Sequence, residues 1–90
     1  MRIRTLPATR HAVYRLSPDL LLVFKPRGHR EGAHAHARRQ RLRVLRGELV
    51  VHSGTRRVRL TPGGRALLLA AARTHSTVAV RDTWLIAESL

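Results

Sequence analysis

The sequence contains no cysteine, which excludes disulfide staples and thiolate metal sites alike. Aromatic residues are nearly as scarce. Tyr14, Phe24 and Trp84 are the full complement, too few for a platform that stacks single-stranded nucleic acid. The five acidic residues are scattered, so neither a paired-carboxylate centre nor a Ser-His-Asp arrangement can be assembled from them. No apolar run approaches the ~18–20 residues that cross a bilayer. The longest, Leu20–Phe24 and Ala66–Ala72, have the length of strands. The opening MRIRTLPATR lacks the apolar core of a signal peptide, and the expected location is the cytoplasm. No glycine-rich phosphate loop precedes a helical pattern.

What remains is a chain of 90 residues, enough for one small domain spanning residues 1–90 and not for two. A domain of this size buries only roughly 60–65% of its unfolded surface, so a ligand or a partner subunit would add useful stability. An apolar share of 43% excludes a disordered chain. The formal net charge is +13, which points first to an acidic partner such as nucleic acid. However, Lys25 is the only lysine, and the arginines are spread along the chain, as Arg2, Arg10, Arg27, Arg38, Arg43, Arg57, Arg65 and Arg81 illustrate. A dedicated nucleic-acid protein concentrates them on one helix or tail. With the abundant Ala, Leu and Gly, the arginine excess reads as the codon usage of a GC-rich genome. An arginine-rich nucleic-acid binder ranks last among the functions considered.

Turn signals recur every six to ten residues, among them Ser17-Pro18-Asp19, Pro26-Arg27-Gly28, Ser53-Gly54-Thr55 and Pro62-Gly63-Gly64. They delimit runs of strand length at 11–16, 20–25, 33–37, 40–45, 48–52, 56–60, 65–70, 75–80 and 83–88. Alternation supports this. Gln40, Leu42 and Val44 share one side of a strand and Arg41 and Arg43 the other, while Val58 and Leu60 alternate with Arg57 and Arg59. The segment RALLLAAART at 65–74 has helical propensity, yet its neighbours all pair as strands, so a strand over 65–70 followed by a loop is expected. Eight or nine short strands with no second layer of helices predict an all-β sandwich or barrel.

Three of the six histidines carry the functional argument. His34 and His36 are two apart, so on a strand both rings leave the same face and can grip one ion. Gln40 follows a turn through Ala37-Arg38-Arg39 and opens the next strand, facing inward with Leu42 and Val44. A further ligand must come from elsewhere, and His75, opening the strand HSTVAV, is the candidate.

The spacing is specific. Gly28, His34, His36, Gln40 and Gly47 resemble the first motif of the cupin superfamily, G-x5-H-x-H-x3-4-E-x6-G, with Gln in place of Glu. Gly64 and His75 resemble the opening Gly and the His of the second motif, G-x5-P-x-G-x2-H-x3-N. Ala70 and Ala72 stand where that motif has Pro and Gly, and Ala79 where it has Asn. The resemblance covers residues 28–79 and implies an antiparallel jelly-roll β-barrel. It places His34, His36 and His75 on the metal-ligand histidines and Gln40 on the carboxylate ligand, and so implies a divalent transition metal cofactor, Zn, Ni, Fe, Mn or Cu. A small-molecule ligand or substrate inside the barrel is implied as well. Two functions follow: a metal-dependent enzyme, or a non-catalytic module that binds or senses a small ligand.

Other polar residues are assigned lesser parts. His29 and His52 read as exposed turn or strand-end histidines, Glu31 and Glu48 as facing solvent or paired with Arg, and Arg38 and Arg39 as a solvated turn. A homodimer is expected. If His75, Thr77 and Ala79 line the pocket, Val78 and Val80 face outward, as does one of the pairs Trp84 and Ile86 or Leu85 and Ala87. Leu20–Phe24 is apolar throughout and must be covered on both faces.

Overall fold

The computed structural model describes residues 10–90. The first nine, which the sequence assigns to the same 1–90 domain and which include Arg2, lie outside the described residues. Nine strands follow one another: β1 (Ala12–Ser17), β2 (Leu20–Lys25), β3 (Arg30–His34), β4 (Gln40–Arg46), β5 (Leu49–Ser53), β6 (Arg56–Leu60), β7 (Leu67–Leu69), β8 (His75–Ala79) and β9 (Thr83–Ser89). There is no helix among the described residues, and hence none long and apolar enough to cross a membrane. RALLLAAART contributes the short strand β7 and a loop, because pairing with β4 outweighs its helical propensity.

The strands form two antiparallel sheets, ordered β1-β2-β9-β4-β7 and β3-β8-β5-β6. Their facing sides enclose the core, giving the expected two-sheet jelly-roll barrel. Alternation decides what enters it. Gln40, Leu42 and Val44 are buried while Arg41 and Arg43 are exposed. His75, Thr77 and Ala79 are buried, and Ser76 and Val78 only half so. On β9, Leu85 and Ala87 join Val23, Leu42, Val44 and Leu49 in the inner core. Trp84 has the opposite parity and packs with Leu22 and Phe24, flanked by Ala12, Tyr14 and Ile86. Its ring centroid lies 4.9 Å from Phe24 and 6.3 Å from Tyr14. The apolar run of β2 thus serves both faces of its sheet, and Phe24 and Trp84 are already buried within a single copy.

Gly47 joins β4 to β5 at φ +95°, and a Cβ there would sit 2.3 Å from the Asp82 carbonyl oxygen. Only glycine suits this close passage of the β8–β9 turn. At the same end of the barrel, just before the β8–β9 turn, Gly28 N–H donates to the Ala79 carbonyl (2.7 Å), and Ala79 N–H donates to that of His29 (2.9 Å). These bonds fix the chain entering β3. That strand spans 30–34 rather than the expected 33–37, a correction that matters for the site.

Candidate metal centre

Residues three apart on a regular strand face opposite ways. Glu31 and His34 do not, because a bulge intervenes. Glu31 pairs with Thr77 and His34 with His75, so β3 advances three residues while β8 advances two. The extra residue turns both Glu31 and His34 inward. His36 lies two residues beyond the end of β3, in the irregular link to β4. The expectation that one strand presents both histidines is therefore corrected. His36 is held from the other side, where Ala72 N–H donates to its carbonyl (2.7 Å). Ala72 adopts φ +60° to do so, the left-handed conformation that favours glycine.

These three supports bring His34, His36 and His75 together, with one potential ligand nitrogen from each lying within 4.8 Å of the others. Their ring centroids are 4.4 to 5.3 Å apart. His34 Nδ1 lies 2.8 Å from the Gly32 carbonyl, which can only accept, so Nδ1 carries a proton and Nε2 is the nitrogen available to an ion. His75 Nδ1 is buried without a hydrogen-bond partner. Burial, followed by the neighbouring His34, pushes both His36 and His75 below the ordinary imidazole pKa of 6.5. Three converging imidazoles, two of them held toward the neutral form, and an orphaned buried nitrogen suit a divalent transition metal. Gln40, the first residue of β4, is buried and lines the same cavity.

That cavity holds about 160 Å³. Its apolar wall comes from Val23, Leu42, Leu49 and Leu85, and its polar end from the three histidines, Gln40, Lys25 and Glu31. The last two were not expected there. Lys25 is only 4% exposed. Its ammonium donates to Thr77 Oγ1 (3.1 Å) and lies 3.5 Å from Glu31 Oε1. The same carboxylate oxygen lies 3.4 Å from His34 Nε2. Burial pushes the Lys25 ammonium below its ordinary value, with Glu31 partly opposing this. Burial raises the Glu31 carboxyl, but Lys25 and His34 together pull it lower still, leaving it below the ordinary carboxylate range.

Glu31 thus lines the cavity and pairs with Lys25 rather than an arginine, its side chain still 38% exposed, whereas Glu48 pairs with Arg59 (2.8 Å) as expected. His29 does not line the cavity itself but stacks on His11, which does (centroids 4.3 Å), and His52 is exposed. Arg38 is engaged structurally: it pairs with Asp19 (2.7 Å) and donates to the Leu90 carbonyl (3.2 Å). One sequence signal for Lys25 did exist. It shares the parity of Leu21 and Val23 on an otherwise apolar strand, and it is the only lysine among 18 basic residues.

No protein-family model matches the sequence, and no curated protein is a significant match. Solved structures do match. A cupin superfamily protein from Desulfitobacterium hafniense superposes with a TM-score of 0.82 at 15% identity, covering 94% of this chain and 81% of that one. An RmlC-like cupin family protein with a double-stranded β-helix fold from Methanocaldococcus jannaschii gives 0.75 at 12% identity, covering 91% and 82%. KdgF from a Halomonas species gives 0.66 at 27% identity, covering 86% and 73%. The chain therefore has the cupin fold.

Proposed function

We propose that this small cupin-fold barrel binds a divalent transition metal through His34, His36 and His75, with Gln40 as a neutral neighbour, and takes a small molecule into the adjoining cavity. The convergence of three imidazoles, one of them with an orphaned buried nitrogen, carries this reading. Zn, Ni, Fe, Mn and Cu are all compatible with such a donor set. When bound, the ion would supply Lewis acidity toward an oxygen or nitrogen donor of the small molecule. The chain's own residues would exclude water along Val23, Leu42 and Leu85 and present Lys25 and Glu31 at the polar end.

The test is metal content after purification without a histidine tag. About one equivalent retained by the wild type and lost in His75→Ala supports the assignment. No stoichiometric metal, and none taken up on addition, contradicts it. A second reading, ligand binding or sensing without turnover, draws on the engagement of Lys25 with Thr77 and Glu31, which leaves no free acid–base pair. Recovery of a bound small molecule unchanged after prolonged incubation with loaded protein favours it. A cytoplasmic setting and a homodimer complete the proposal.

A further inference from the structure

We propose that Glu31, at a position the histidine motif leaves unspecified, is the charged fourth ligand of this centre, filling the electrostatic role that the neutral Gln40 cannot. The inference rests on the metal reading above and extends it to a residue that neither the spacing nor the strand pattern indicates.

The geometry around His34 is the starting point. Its Nδ1–H donates to the Gly32 carbonyl, which leaves Nε2 as the nitrogen available to an ion. Glu31 Oε1 pairs with that Nε2 at 3.4 Å, with the rings of His36 and His75 alongside. A proton on Nε2 can hold this pair, and a metal ion can take the proton's place. The separation suits the ion: two donors bound to a tetrahedral ion at about 2.1 Å each lie about 3.4 Å apart.

Charge points the same way. Three neutral imidazoles and an amide leave a divalent ion uncompensated in a largely apolar cavity, where an unpaired charge is costly. Among the described residues, Glu31 is the only carboxylate lining that cavity. Its place there is built into the strand, since the β3 bulge turns it to the side of His34, opposite Thr77. The Lys25 ammonium, itself fixed by Thr77, holds the carboxylate at the cluster.

The experiment is a competition titration of zinc into metal-free wild type, Glu31→Gln and Gln40→Ala, paired with absorption spectra of the cobalt-loaded proteins. Glu31→Gln should weaken zinc binding at least about tenfold and alter the cobalt ligand-field bands, while Gln40→Ala changes both less. Equal zinc affinity in wild type and Glu31→Gln would overturn the proposal while leaving the three-histidine site intact. Weaker binding with an unchanged cobalt spectrum would also overturn it, because Glu31 would then act from outside the coordination sphere. A wild type that binds no zinc would remove the underlying metal reading, and the proposal with it. Thermal unfolding of the metal-free proteins checks folding. Should Glu31→Gln fail that check, Glu31→Asp, one methylene shorter, is expected to give the same two changes.

Discussion

His75 concentrates the residue-scale argument: buried, opposite His34 across the β3–β8 pair, and with one ring nitrogen unpartnered. Folding holds its pKa, and those of His36 and His29, below the ordinary 6.5, in each case chiefly through burial. As pH falls through 6.5, the unfolded chain takes up protons that the folded chain resists. Stability from these groups is therefore complete above 6.5 and is lost progressively down to their lowered values. Glu31, also held low, adds a loss in the same direction at more acidic pH. The metal-free protein should unfold at a lower temperature at about pH 5.5 than at about pH 7.5. An equal or higher unfolding temperature at the acidic pH would contradict the burial of neutral histidines. The three histidines were legible from spacing, because two lie two residues apart and the third opens an alternating strand. Glu31 was not, since a bulge that reverses parity leaves no mark in a pattern of apolar and polar residues.

Among the elements, alternation located nine strands and told which side of β4 and β8 enters the barrel. It could not decide between the two parities of β9, where every position from Thr83 to Leu85 is buried. Both faces of that strand are covered, one by the inner core and the other by Phe24 and Leu22. The irregular links were least legible, and they position His36. Ala72 there accepts a left-handed backbone to place its N–H on the His36 carbonyl. A non-glycine residue in that conformation costs roughly 1–2 kcal/mol, and the greater freedom of glycine in the unfolded chain returns part of this. Ala72→Gly should consequently stabilise the fold by up to about 1 kcal/mol without weakening metal binding. Chemical denaturation measures it, and a destabilisation would show that the loop tolerates alanine without strain.

At the scale of the whole molecule, the +13 charge leaves many arginines without acidic partners, since only five acids are present. All five are engaged: Asp19 by Arg38, Glu31 by Lys25, Glu48 by Arg59 and Arg81, Glu88 by Arg41, and Asp82 by the Arg27 backbone N–H. Leu68 is 62% exposed and Leu45 and Val80 are 36% and 40% exposed, so apolar surface remains for the proposed homodimer even though Trp84 is buried. Repulsion between copies is screened beyond about 8–10 Å in physiological salt. Light scattering in such salt should give a mass of about 20 kDa, twice the 10.2 kDa chain. A value near 10.2 kDa across micromolar concentrations would exclude the dimer. The central claim, however, is the metal, and a crystal structure with data collected across the metal absorption edge tests it most directly. The account predicts a single anomalous peak enclosed by His34 Nε2 and ring nitrogens of His36 and His75, each at about 2.0–2.2 Å. An ordered histidine cluster without a peak, in crystals grown with excess metal, would contradict it.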